Sequence, residues 1–469
     1  MRTFSCCLLF LTLSTGSALA QPECSVCPCR CPEEPGELKV FFGYLHSHTS
    51  YSDGEGTPRE AWVQARDQGN LDFLELSPHN HSSAGKIATQ PALYNGDGDD
   101  ALINIAASLT VDGEFIALYG QEYSSISKGN HVNVIDAPTV ISVANGSYDR
   151  LVDEYLPNHP DSFGNPPLLV LNHPDSGPRS REYGRDDFGG DAEWVAAIDP
   201  LAPIINLING PSQGSGTAAV PRPEEGSLRF FLAKGFHLAP SVDQDNHRRT
   251  WGTIHDGRTA VVASELTKRA VLEALRARHA YATTDRNLRA ICRVQDGLCG
   301  DVLDAPPVDS ELSIAIDFAD DDEPGATYQV EVYSAVIGGE RLDFDDPDEV
   351  ILFEGDGTLE IPNMRYHGGR EYYFFRVTQF AAEDDDSTDS DRAWLAPVWF
   401  EPAGESPLTP LAAAFDAVVV NAVAARGAEL FHTADCRIGR GITGDDRVTG
   451  RDAAAGRLPH SCTGRQEVR

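Results

Sequence analysis

From Val40 to about Asn287 the chain repeats one theme, in which a short apolar run ends in a polar tip that usually carries histidine. The runs are Val40 to Leu45 before His46, Leu71 to Leu76 before His79, Phe115 to Tyr119 before Glu122, Leu168 to Leu171 before His173, and His237 to Val242 before Asp245. Unbroken runs of this length suit strands buried on both faces, as in parallel sheets. Helical signals fall between them. Thr57-Pro58-Arg59-Glu60 reads as a capping box with proline at the first helical position, predicting a helix to about Gln68 that Gly69 closes. Thr267 similarly precedes a helix through Ala270, Leu272, Leu275 and Arg278. Strands alternating with helices, with functional groups at the strand ends, predict a (β/α) barrel or a relative of one over residues 39–289.

Beyond about Arg289 the pattern shifts to strict alternation. Leu312 to Phe318, Tyr328 to Tyr333 and Tyr372 to Thr378 are separated by acidic turns bearing Gly and Pro, which predicts an all-β, sandwich-like domain over 290–402. The acidic stretches Asp320 to Glu323, Asp343 to Glu349 and Glu383 to Asp391 are expected to be solvated turns. Calcium binding is the alternative, although none has EF-hand spacing. Residues 403–469 read as a linker, an Ala-rich amphipathic helix and a small basic tail module holding His432, Cys436, His460 and Cys462. A Cys436–Cys462 disulfide is favoured there over a small zinc site. The expected fold class is therefore α/β, a distorted barrel followed by a sandwich-like domain and a tail.

The 469 residues carry a formal charge of −35, which repels phosphate backbones and anionic lipid. Nucleic acid is not an expected partner; small substrates and cations fit better. Residues 1–20 resemble a secretory signal, with Arg2, an apolar core from Phe4 to Leu13 and a cleavage signature ending Ala18-Leu19-Ala20. Secretion or a periplasmic location is expected, with no transmembrane segment left after cleavage. Residues 21–38, with Cys24, Cys27, Cys29 and Cys31 among Pro and Glu, read as a Cys-rich stalk, with zinc the less favoured alternative. Cys292 and Cys299 are spaced for a local disulfide.

Eleven of the fourteen histidines lie between His46 and His279, and tips of successive barrel strands converge on one cavity. His46-x-His48 puts two imidazoles on one side of an extended segment, and His79-x-His81 repeats the spacing. Asp53 follows in a loop able to turn back. Glu122 can bridge two cations through its two oxygens, and His131, His173, Asp245 and His247 complete a set of imidazoles and carboxylates. That donor chemistry suits Zn²⁺, Mn²⁺ or Fe²⁺ without thiolate.

The segment Gly43-Tyr44-Leu45-His46-Ser47-His48-Thr49-Ser50-Tyr51-Ser52-Asp53-Gly54 resembles the first motif of the PHP (polymerase and histidinol phosphatase) superfamily of metallohydrolases. Ser77-Pro78-His79-Asn80, Gly120-Gln121-Glu122, Asn130-His131, Asn172-His173-Pro174 and Asp245-Asn246-His247 are similar to its later motifs. Leu275 to Leu288 resembles the barrel-closing segment of the carbaryl-hydrolase-like branch. The resemblance implies a PHP barrel with two or three divalent ions. One would be held by His46, His48, Glu122 and Asp245, a second by Glu122, His131 and His173, and a third by Asp53, His79 and His247. It also implies a metal-bridging hydroxide as nucleophile, with Asp245 as proton acceptor beside the bridging Glu122. One departure is Pro78, where the family commonly has Asp; a partner that would orient the His79 imidazole is missing, and His81 or Glu75 could replace it.

Arg248 and Arg249, directly after the last ligand, and Arg286 are candidate contacts for an anionic substrate, with Lys128 and Arg258 in adjacent loops. The function expected is an exported phosphoesterase acting on a small, anionic phosphate ester. Carboxylic or carbamate ester hydrolysis is the rival within enzymes. A metal-binding protein without turnover, attached to the cell surface through the C-terminal region, is the rival from another class.

Overall fold

The computed structural model describes residues 37–124, 130–174, 192–339, 341–381 and 390–402, together with the backbone of four short strands nearer the C-terminus. The expected signal segment, Cys24, Cys27, Cys29, Cys31, Lys128, residues 383–389 of the last acidic stretch, Cys436, His460, Cys462 and the side chain of His432 lie outside the described residues. The chain divides into Met1–Glu37 and Leu38–Arg469; the second unit is described below.

It is a mixed α/β structure with large sheets and few helices. The first half contributes strands β1 (Lys39–Tyr44), β2 (Phe73–Leu76), β3 (Ile116–Tyr123), β4 (Val132–Ile135), β5 (Leu168–Leu171), β6 (Ile204–Asn209), β7 (Ala239–Asp243), β8 (Arg258–Ala263) and β9 (Ala280–Thr283). They lie side by side in the order β9-β8-β1-β2-β3-β4-β5-β6-β7. The steps from β1 to β3 and from β5 to β7 are parallel, whereas β4 runs antiparallel to both β3 and β5, and β8 antiparallel to both β1 and β9. The reversal at β4 follows from length: only residues 124–131 separate it from β3, and a parallel crossover needs about a dozen or more. Glu122 accordingly lies inside β3 and not beyond its tip.

The longer helices are α1 (Pro58–Asp67), α2 (Leu102–Leu109), α3 (Ala192–Ile198), α4 (Glu225–Leu232) and α5 (Lys268–Arg276). Thr57 caps α1, its hydroxyl accepting from Glu60 N while the Glu60 carboxylate accepts from Thr57 N. The helix buries Ala61, Trp62 and Ala65, and the Trp62 indole donates to Leu74 O at 2.9 Å, locking it over β2. Thr267 caps α5 through Ala270 N.

The second half forms β10 (Arg289–Val294), β11 (Gly297–Leu298), β12 (Val302–Asp304), β13 (Ile314–Ala319), β14 (Thr327–Val336), β15 (Glu349–Glu354), β16 (Gly357–Glu360), β17 (Glu371–Phe380), β18 (Ser390–Leu395) and β19 (Val398–Glu401). One four-stranded sheet, β11-β10-β13-β16, buries alternate residues Ile314, Ile316 and Phe318, and the Phe318 ring stacks on Tyr328 of β14 at 4.4 Å. The other strands extend the first sheet, because β18 pairs with β9 through Ala282↔Trp394. Cys292 and Cys299 form a disulfide at the turn after β10. Asp320, expected in a solvated turn, is fully buried and accepts from Asn287, Gln379, Asp322 N and Glu323 N. Asp320 is a structural acceptor because the neighbouring β17 and the β9–β10 turn present donors to it, whereas Asp321 and Asp322 are exposed as expected. Ala422–Ala425, at the end of the Ala-rich stretch, is a short strand paired with Leu430–Thr433 and Arg447–Thr449, and Leu458–Pro459 pairs with Leu430–Thr433; residues 403–421, where the helix was expected, lie outside the described residues.

The two halves also meet at His237. This buried imidazole contacts Asp199 through Nδ1 at 2.8 Å and Glu401 of β19 through Nε2 at 3.2 Å, and Arg370 pairs with the same Glu401 oxygen. Burial pushes the imidazole pKa down, but the charge of Asp199 and the hydrogen bonds to Asp199 and Glu401 raise it on balance. A raised folded pKa contributes stability that is complete below the unfolded value of about 6.5 and is lost as pH rises through the folded value. His237→Gln should therefore cost about 3–5 kcal/mol below pH ~6, and the cost should shrink with rising pH. Denaturant melts of both proteins between pH 5.5 and 9 test this; a difference that does not vary with pH would mean that His237 carries no charge.

Candidate metal centre

Pairing continues past the strand ends and gathers their tips. Ser47 bridges Asn246 in parallel, with His48 N donating to Asn246 O at 2.9 Å and Asp245 N to His46 O at 3.1 Å, so the end of β7 meets the end of β1. His79 bridges Glu122 in the same way, and Ser77 N donates to Ser47 O. Two donor-bearing residues adopt left-handed backbone, His173 at φ 27° and Asp245 at φ 47°, a conformation rare outside glycine that is associated with functional sites.

Four atoms converge at the centre. His46 Nε2 and His48 Nε2 are 3.2 Å apart; Glu122 Oε2 lies 3.4 and 3.2 Å from them, and Asp245 Oδ1 3.4 and 3.1 Å. Bonds of about 2.0–2.1 Å to a tetrahedral Zn²⁺ place ligand atoms roughly 3.3 Å apart, so these separations are those of a coordination polyhedron. Glu122 Oε2 is buried and, among the described residues, makes no well-aligned hydrogen bond although three imidazole nitrogens lie 3.0–3.4 Å away, as a carboxylate oxygen facing a cation would. The other Glu122 oxygen, Oε1, faces His131 Nδ1 at 2.6 Å and His173 Nε2 at 3.1 Å. A third group forms around Asp53, whose Oδ1 is 3.2 Å from His247 Nε2 and 3.6 Å from His79 Nε2.

The groupings differ in detail from those the resemblance implies. His48 belongs geometrically to the Asp53, His79 and His247 group as well as to the central one, and His79 also joins Glu122 and His131, its Nδ1 lying 3.0 Å from Glu122 Oε2. The reason is stacking: the His48 ring lies 4.1 Å from His247 and 4.6 Å from His79. The missing partner of His79 is supplied by Ser124, whose hydroxyl is 2.7 Å from Nδ1. Neither residue expected in that role makes this contact. His81 turns its Nδ1 to Ser83, and Glu75 accepts from Asn133. Ser124 was legible in principle, since it stands two residues after Glu122 and so on the same side of the chain.

The charges respond to one another. Burial would raise the Glu122 carboxyl, yet the imidazoles of His131, His79 and His46 hold it well below its usual range. Asp53 is held at about 2, where burial is outweighed by the His247 hydrogen bond and nearby histidines. Burial keeps His46 neutral, lowering its pKa, whereas for His48 the same burial is outweighed by Asp245 and Glu122, which lift it to about 10. The carboxylates thus demand positive charge at the centre.

The candidate cationic contacts are engaged elsewhere. Arg248 pairs with Glu55 at 2.5 Å, Arg249 with Glu60 at 3.0 Å and Arg286 with Asp256 at 3.3 Å. Arg258 lies in β8 and not in a loop. Its buried guanidinium donates to Tyr44, His255 O, Gly257 O and Gly252 O, a structural cage closed to substrate.

No protein-family model matches the chain, and no curated protein does. Among solved structures it is similar to a two-domain protein from Bacteroides vulgatus described as containing a predicted PHP-like metal-dependent phosphoesterase. The identity is 14% and the TM-score 0.39, over 79% of this chain and all of that one. The donor geometry stands independently of that loose likeness.

Because His48 without a cation stays protonated up to about pH 10, metal uptake near pH 8 should release a proton, and affinity should rise up to ~10-fold per pH unit between pH 7 and 9. Calorimetric titration with Mn²⁺ in buffers of different ionisation enthalpy measures both; uptake without proton release would show that His48 is not protonated in the metal-free protein. Glu122→Gln removes the shared carboxylate and should lower metal content by at least one equivalent by elemental analysis, with the fold retained by circular dichroism.

Proposed function

We propose that this chain is an exported, divalent-metal-dependent hydrolase of PHP type, its first sheet a distorted barrel, acting on a small phosphate ester. The observation that carries the reading is the mutual approach of His46 Nε2, His48 Nε2, Glu122 Oε2 and Asp245 Oδ1 to 3.1–3.4 Å. Buried at that distance, two carboxylates and two imidazoles are compatible only with a cation or with protons between them. His46, His48, Glu122 and Asp245 would hold one ion, Glu122 with His131 and His173 a second, and Asp53, His79 and His247 a third, in Zn²⁺, Mn²⁺ or Fe²⁺ form. Divalent cations supply Lewis acidity and lower the pKa of a coordinated water.

The chain's own residues supply the rest. Glu122 is held ionised so that it can be shared, Ser124 fixes the tautomer of His79, and Asp245, with 16% of its side chain exposed and its carboxyl, despite burial, held low by His46 and His48, would be the carboxylate that accepts a proton at the centre once cations replace that pairing. Asp53 and His131 are the most exposed of the nine donors, 43% and 24%, so solvent reaches the cluster there. Arginine pairing supports a second reading, carboxylic or carbamate ester hydrolysis, because Arg248, Arg249 and Arg286 bring no net positive charge to bind a phosphate. On the phosphoester reading the anion is neutralised by the cations alone.

Two measurements separate these. Hydrolysis of nitrophenyl phosphate, bis-nitrophenyl phosphate and naphthyl carbamate by the Mn²⁺- or Zn²⁺-loaded protein should favour a phosphate ester, and a preference for the carbamate would replace the first reading by the second. Arg248→Ala should alter KM for the best phosphate ester by less than about threefold, as expected for an exposed ion pair of under ~1 kcal/mol; a tenfold rise would return Arg248 to the substrate site. No turnover with any ester by protein that keeps its metals would favour a non-catalytic role.

A further inference from the structure

The donors stand on a second layer of buried polar side chains. Its hub is the peptide of Leu45, immediately before His46. Leu45 N donates to Asp243 Oδ1, and Leu45 O accepts from Asn133 Nδ2 at 2.5 Å. From Asp243 the connection runs to Asn206, whose Nδ2 donates to Asp243 Oδ2 at 2.5 Å and whose Oδ1 accepts from His173 N at 3.2 Å. From Asn133 it runs to Asn172, whose Nδ2 donates to Asn133 Oδ1 at 2.8 Å and reaches Glu122 Oε1 at 3.5 Å. Asn133, Asn206 and Asp243 are at most 1% exposed.

Two bridges therefore leave one peptide and end on the other side of the centre. They join β1 to β4, β5, β6 and β7, strands that for the most part are not its neighbours in the sheet. The backbone is adapted to them: the register of β6 on β7 slips between Asn206 and Ile208, an irregularity of the kind that re-aims a side chain. His173, at the far end, is the donor with φ 27°, and Asn206 holds its N–H while Asn130 holds its carbonyl at 2.7 Å. Buried amides and a carboxylate are costly compared with an apolar filling. Here they connect the backbone of the His46 side to the backbone of the His173 side.

We propose that Asn133, Asn206 and Asp243 are positioning residues that fix the separation between the His46, His48 and Asp245 donors and the His131 and His173 donors, and so determine whether a second cation binds beside the first. The proposal rests on the metal-centre reading. Without Asn206 the left-handed His173 loses the bond that holds its N–H and keeps the one from Asn130 to its carbonyl, while on the His46 side Leu45 keeps both Asp243 and Asn133. The loss is therefore one-sided.

The test uses the full chain, titrated with Mn²⁺ by calorimetry and followed by electron paramagnetic resonance, which reports coupling between neighbouring Mn²⁺ ions. Asn206→Leu should raise the weaker of the wild-type dissociation constants at least tenfold, leave the tightest within threefold and abolish the coupled signal. Melting of the metal-free protein checks the fold, and Asn206→Ala, less bulky, is measured if the leucine variant does not fold. Equal weakening of every site, or no weakening, overturns the positioning role while leaving the metal centre intact. Wild-type protein that binds one equivalent or less overturns the multinuclear reading and this proposal with it.

Discussion

The structure turns on a carboxylate that is fully buried and yet ionised. Among the described residues Glu122 has no lysine or arginine paired with it, only imidazoles from four other segments, each of which approaches one of its two oxygens. A buried negative charge is tolerated only when it is paired, so the segments bearing His46, His48, His79, His131 and His173 must arrive together or the interior carries an unmet charge. The strand extensions that lace β1 to β7 and β2 to β3 follow from that demand.

How much of this was legible depended on periodicity. Five of the nine first-half strands, β1, β2, β3, β5 and β7, were visible because each is a short apolar run, and the donors were visible because they sit at the ends of those runs or two residues apart. What could not be read was the reversal at β4, whose four residues give too little pattern, and the sharing of His48 and His79 between groups, which depends on ring stacking. The roles of Asn133, Asn206 and Asp243 were hidden for a different reason. Single polar residues inside apolar strands give no periodic signal, and the partners that make the two bridges lie 33 to 198 positions away in sequence. Adjacency to a ligand in sequence does not say where a long, flexible side chain turns, and Arg248 and Arg249 both pair with acidic residues near the start of α1.

The same continuity that makes the first sheet large removes any clean seam in it. A pattern change at Arg289 is real, since alternation replaces continuous burial there, but a change of pattern does not require a change of sheet. Trp394 lies opposite Ala282 in the ladder, and His237 rests against Glu401, so both the backbone and the buried charges of the two regions are mutually satisfied.

The β9–β18 ladder also has a consequence in time. During synthesis the free edge of β9 emerges more than a hundred residues ahead of the strand that covers it, and an uncovered edge is a template for pairing with other chains. A nascent polypeptide of this kind profits from being kept unfolded until its C-terminal strands exist, which makes it a natural client for a holding chaperone.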